Sequence, residues 1–110
     1  MKIAKVYIAG PYTKPDPEAN TYAMMKVWDE LRSLGYFPFC PLWSHFQEMR
    51  HPRTWEDWMQ FDLAWIDVCD CVLRIPGESV GADREIAHAK KECIPVYHSI
   101  EELQLSEPIR

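Results

Sequence analysis

The sequence predicts an α/β protein: a doubly wound, flavodoxin- or Rossmann-like three-layer sandwich on a four- to five-stranded parallel sheet. Three observations carry this expectation. Short apolar runs alternate along the chain with segments of helical periodicity. Those runs are near-continuously apolar, as strands covered on both faces are, rather than alternating with polar residues. No internal repeat or low-complexity stretch divides the 110 residues, so a single domain over 1–110 is expected.

The elements follow in order. Residues 2–9, "KIAKVYIA", form a β-rich run ended by Gly10-Pro11. Residues 12–17, "YTKPDP", hold two prolines and read as irregular. From Glu18 to Leu34 the pattern is helical, with Ala23, Val27, Leu31 and Leu34 on one stripe, Met24 and Trp28 beside it, and Gly35 as the stop. "YFPFC" (36–40) reads as a second strand, placed at a sheet edge by Pro38. Residues 41–53, "PLWSHFQEMRHPR", read as a long loop. Thr54 with Asp57 opens a helix that runs to about Asp67. "CDCVLRI" (69–75) is the third strand, a helix begins near Ser79, and "IPVY" (94–97) is the fourth strand. Ser99 and Glu102 have capping-box spacing and open a short last helix.

Composition limits the function. A net charge of −5 argues against affinity for a nucleic-acid polymer, which wants a basic face, while leaving room for one small nucleotide in a local electropositive pocket. Cys40, Cys69, Cys71 and Cys93 fit no metal-ligand spacing, and no two histidines do, so free thiols and no metal or cofactor are expected. "MKIAKVYIAG" reads as a first strand rather than a leader, and no apolar run approaches membrane-spanning length. The chain is therefore read as cytoplasmic, without a membrane partner.

In a doubly wound fold, ligands bind beyond the carboxyl ends of the strands, where strand order reverses. That directs attention to loops 10–17, 41–53 and 76–81. In "PGESVGADRE" (76–85), Pro76-Gly77 turns the chain, Ser79 suits an N-cap, and Gly81 permits close approach of a ligand. The stretch has too few glycines for a dinucleotide fingerprint and lacks the Gly-Lys-Ser/Thr of a phosphate-binding loop. Glu85 follows a turn and a half into the helix, near enough for the helix dipole to favour its ionised form, as a nucleophile at a sugar C1′ requires. The plainer reading is a solvated glutamate beside Lys90 and Lys91.

In "TWEDWMQFDLAWID" (54–67), Trp58, Asp62 and Trp65 share a helix face, so Asp62 is expected between indoles with a raised pKa suited to proton donation. Its plainer reading is a surface charge on an amphipathic helix. Tyr7, near the end of the first strand, is either a core aromatic or a hydroxyl that holds a carboxylate. Beyond Gly10, residues Tyr12, Thr13 and Lys14 are placed to meet a base or a phosphate. His45 is the one histidine near the expected crevice.

Taken together, "VYIAGP", "DLAWIDVCDCV" and "SVGADREIAHA" resemble the nucleoside 2-deoxyribosyltransferase superfamily, in the same order and over residues 5 to about 97. The pattern is most similar to short, phage-type members and to the 2′-deoxynucleoside 5′-phosphate N-hydrolases. The resemblance implies Glu85 as nucleophile, Asp62 as the acid assisting at the base, and Tyr7 as the residue positioning the nucleophile. It implies Ser79 and Gly81 at the 5′ end of the sugar. Where the transferases usually carry an aspartate this chain has Ser79, a donor that suits a 5′-phosphate. The arginine-containing first loop of the hydrolases is here "GPYTKP", with Lys14 as its cation. Gly10 and Lys14 join the substrate-binding group, with Trp43, His45 and Trp58 as the base-stacking wall.

The implied reaction cleaves the N-glycosidic bond of a 2′-deoxynucleoside 5′-monophosphate through a covalent glycosyl-Glu85 intermediate, releasing base and 2-deoxyribose 5-phosphate. A 2-deoxy sugar suits it, since no 2-hydroxyl withdraws electrons from the developing cation. The alternatives are a transferase passing the sugar to a second base, a ribonucleotide phosphoribohydrolase, and a non-catalytic nucleotide-binding module. Members of the superfamily complete their sites across subunits, so the resemblance also implies a homo-oligomer, a dimer or higher.

Overall fold

The computed structural model describes residues 3–12, 14–41 and 43–106. The elements run β1 (Lys5–Ala9), α1 (Pro17–Ser33), β2 (Phe37–Phe39), α2 (Trp43–Arg50), α3 (Trp55–Ile66), β3 (Cys71–Arg74), α4 (Val80–Lys91), β4 (Val96–Tyr97) and α5 (Ile100–Ser106). The four strands among the described residues form one all-parallel sheet in the order β2-β1-β3-β4. The chain leaves β1 towards β2, then returns across the sheet to β3 on the other side. The switch point therefore lies between β1 and β3, with their carboxyl ends opening on one crevice.

The parity of β1 decides what faces that crevice. Val6 and Ile8 pack with Met24 and Leu31 of α1, Leu73 of β3 and Leu103 of α5 on one side of the sheet. Tyr7 and Ala9 point the other way, into a core with Val72, Ile66 of α3 and Ala89 of α4. Each fully buried aliphatic side chain here contributes about 1.5–3 kcal/mol relative to an exposed one. Tyr7 is thus delivered to the α3–α4 side by strand alternation alone.

Caps set the helix starts. Asp16, Thr54 and Ser79 are N-caps whose side chains accept from the amides of Glu18, Asp57 and Ala82. Ser99 accepts from the Glu102 amide at 3.0 Å, while the Glu102 carboxylate reaches back to the amide of His98. Gly35 ends the α1 segment at φ +99, and Pro38 sits in the edge strand β2, both as the sequence predicts.

Two expectations need correction. Residues 41–53 are not a long loop, because Trp43–Arg50 form α2. Its interior is free of glycine and proline and ends in Gln, Glu, Met and Arg, all good helix formers, while Pro41 and Pro52 bracket it. The buried stripe of α1 is also displaced. Thr21, Met24 and Leu31 are buried with Val27 against them, whereas Ala23 and Leu34 face solvent.

Candidate active site

A cleft of about 940 Å³ opens between the carboxyl ends of β1 and β3, walled by α2, α3 and the start of α4. At its floor three side chains from three elements meet. The Tyr7 hydroxyl on β1 donates to Glu85 Oε2 on α4 at 2.9 Å. Glu85, only 6 % exposed, also lies within electrostatic reach of the Asp62 carboxyl on α3. Asp62 Oδ1 is buried with no hydrogen-bond partner among the described residues. Asp62 is itself among the residues that line the cleft, and a buried acceptor without a partner is uncommon in a folded protein.

The electrostatics follow from this geometry. Burial, first of all, pushes the Glu85 carboxyl well above the usual carboxylate range; the Asp62 charge adds to this, and the Tyr7 hydrogen bond and the Arg74 charge oppose it. Burial likewise raises Asp62 to about 6, with its interaction with Glu85 opposing. Two carboxyls this close cannot both ionise freely, so the pair retains one proton near neutrality. This corrects the expectation of a simply ionised Glu85: removal from water outweighs the helix dipole. Burial raises the Tyr7 hydroxyl further above its ordinary value, which keeps it a neutral donor.

The loop after β3 is built to hold this arrangement. Gly77 adopts φ +127, and a Cβ there would stand 2.5 Å from Pro11 Cγ. Arg74 donates to the carbonyls of Ile75 and Gly77 and to Asp83 Oδ1 at 3.1 Å, tying the turn to the first turn of α4. Ser79 Oγ accepts from the Ala82 amide at 3.0 Å, leaving its hydroxyl hydrogen to donate elsewhere. At Gly81 a Cβ would lie 3.6 Å from Met59 Sδ, 3.8 Å from Trp55 Nε1 and 3.9 Å from Ser79 Oγ. The position is roomy, and it faces the cleft.

Of the other predicted residues, Lys14, Trp58 and Gly10 border the cleft. Gly10 has a packing role too, since a Cβ would press within 3.1 Å of Ile75 Cβ. His45 does not line the cleft; its Nδ1 pairs at 2.6 Å with the hydroxyl of Tyr12, which does. Trp65 does not flank Asp62 at the cleft: seven residues past Trp58, about 10 Å along the axis, it stacks on Phe39 at 5.0 Å. Trp43 begins α2, but its side chain, like Thr13, lies outside the described residues.

Arg53, Glu48 and Trp55 line the cleft without having been foreseen. Glu48 and Arg53 were hidden by the loop reading of 41–53. Trp55 gave no signal beyond its place after the Thr54 cap. Among the described residues no group of histidine, cysteine and acidic side chains is arranged to hold a metal, and no helix is long and apolar enough to cross a membrane.

Residues 4–98 match the protein family described as "Domain of unknown function (DUF4406)". Among solved structures the chain is similar to the 2-deoxyribosyltransferase of the psychrotolerant bacterium Bacillus psychrosaccharolyticus. The TM-score is 0.60 at 24% identity, over 94% of this chain and 80% of that one. At that identity the likeness speaks for the doubly wound fold. No curated protein matches the chain in sequence.

Proposed function

The chain belongs to the DUF4406 family, and from that footing we propose that it cleaves the N-glycosidic bond of a 2′-deoxynucleoside 5′-monophosphate through a glycosyl-Glu85 intermediate. The observation that carries the reading is the meeting of Tyr7, Glu85 and Asp62 at the cleft floor. A buried nucleophile, a neutral donor that orients it and a second carboxyl sharing one proton are the parts an acid-assisted displacement at C1′ needs.

A base docking on Asp62 draws the shared proton across from Glu85, leaving Glu85 ionised and held by Tyr7. Glu85 Oε attacks C1′ as the C1′–N bond breaks; the bonding pair leaves on the base nitrogen, and the base takes the Asp62 proton. Water then attacks C1′. The ester bond to Glu85 breaks with its electron pair returning to the carboxylate, and Asp62 takes the proton from the water.

The monophosphate is supported by the cleft wall. The Ser79 hydroxyl hydrogen, the amides that open α4, and the cations Lys14 and Arg53 offer donors and positive charge to a 5′-phosphate. A second reading, transfer of the sugar to another base, is favoured by the fold likeness to a protein described as a 2-deoxyribosyltransferase. It uses the same intermediate with a base in place of water.

Chromatographic product analysis with each deoxynucleoside 5′-monophosphate, beside Glu85→Ala, tests the reading. Free base with 2-deoxyribose 5-phosphate, lost in the variant, is the expected result. Release that persists in Glu85→Ala would sink it, and turnover of nucleosides only when an acceptor base is added would favour transfer.

A further inference from the structure

Glu48 stands on α2 and joins two parts of the cleft wall. Its Oε1 accepts from the Trp58 indole Nε1 at 2.6 Å and from the Arg53 amide at 2.9 Å. Those two bonds, the Arg53 bond foremost, hold its carboxyl below the usual range, so it is ionised near neutrality. Trp58 lies one helical turn before Asp62 on α3, and both border the cleft. An indole has a single donor. With that donor committed to Glu48, Trp58 has only its ring to offer a ligand.

We propose that Glu48 is a positioning residue for base recognition: by clamping the Trp58 indole and the Arg53 backbone, it presents Trp58 as a stacking surface for the nucleobase beside Asp62. This rests on the nucleotide reading above and adds the residue that selects for a base. A charge-assisted bond to the indole fixes the ring plane, and stacking on a fixed plane tolerates any base. Specificity for one base then falls to Asp62 rather than to Trp58.

The test is calorimetric binding in a Glu85→Ala background, where turnover does not interfere. The probes are the four deoxynucleoside 5′-monophosphates and, as a ligand without a base, 2-deoxyribose 5-phosphate. Glu48→Ala is expected to weaken nucleotide binding roughly tenfold or more and the base-free probe, which feels only the loosened Arg53 backbone, within about threefold. Glu48→Gln, whose amide oxygen still accepts both bonds, should stay within about threefold of the parent. Should Glu48→Ala fail to fold, Trp58→Phe cuts the same bond from the other side, and the same base-selective loss is expected. Equal losses for both kinds of probe, or nucleotide binding untouched by Glu48→Ala, would overturn the proposal. Binding without turnover in the unsubstituted protein would count against the catalytic reading and leave the Glu48 test standing. Failure of the unsubstituted protein to bind any nucleotide would overturn both.

Discussion

The Tyr7 hydroxyl donates to Glu85 Oε2 at 2.9 Å, joining positions 78 residues apart across the central strand and the helix that follows the switch point. Both side chains are buried, so the bond is made in a medium where its loss is felt. Tyr7→Phe keeps the ring and its packing and deletes only the donor. The expected stability loss is about 1 kcal/mol, against a fall in kcat of about 100-fold. Thermal melts and steady-state rates check this; a variant with unchanged kcat would remove Tyr7 from the machinery.

The raised Asp62 carboxyl makes stability depend on pH with a definite sign. Folded, the group holds its proton up to about pH 6; its ordinary value is 3.8. Between those values the native state keeps a proton that the unfolded chain has released, so unfolding free energy falls as pH rises. This contribution is complete below the ordinary value and lost once pH passes the folded one, and Glu85 carries the decline higher. Asp62→Asn should therefore exceed the parent in stability by roughly 1–3 kcal/mol near neutrality and show no advantage near pH 4. Urea unfolding at both pH values decides it, and an equal difference at the two would refute it. The proposed reaction needs the pair to hold one proton, so kcat/KM should rise through about pH 6 as the doubly protonated form disappears.

The two glycines of the 76–81 loop separate packing from pocket. Gly77→Ala meets both a left-handed φ of +127 and a contact of 2.5 Å with Pro11, so it should cost roughly 1–3 kcal/mol. Gly81→Ala meets nothing nearer than 3.6 Å. It should leave the melting temperature within a few degrees and raise KM by narrowing the cleft. Equal destabilisation by the two variants would contradict this division.

Much of this was legible beforehand because it follows from short-range rules. The first-strand run put Tyr7 near the crevice end of its strand, though which face it takes comes from the packing, and cap residues Thr54 and Ser79 marked the helices that carry Asp62 and Glu85. What escaped depends on contacts between distant segments. The helix at Trp43–Arg50 lies between prolines with a weak apolar stripe, so Glu48 and Arg53 looked like loop residues. Helical spacing put Trp65 beside Asp62, but the length of the cleft along α3 cannot be read from periodicity. The ionisation of Glu85 was misjudged for the same reason: the helix dipole is local, whereas burial by three converging elements is not.

Ser79 offers the sharpest separation of nucleotide from nucleoside. Its Oγ caps α4 by accepting from the Ala82 amide at 3.0 Å, and its hydroxyl hydrogen remains free to donate. Aspartate is an equally good N-cap, so Ser79→Asp should preserve the helix and the fold. It exchanges a neutral donor for an anion at the point where a 5′-phosphate is proposed to sit, and like charges at close range repel. KM for the deoxynucleoside 5′-monophosphate should rise at least tenfold, while the nucleoside, whose 5′-hydroxyl can donate to the new carboxylate, should be used no worse or better. Raising the salt concentration should narrow the difference if the repulsion is electrostatic. Ser79→Ala discriminates further: it loses the cap, at about 1 kcal/mol, without adding charge, and so should affect the two substrates far less unequally. A Ser79→Asp variant that handles monophosphate and nucleoside in the parent's ratio would place the phosphate elsewhere in the cleft, with Arg53 and Lys14 as the next residues to substitute.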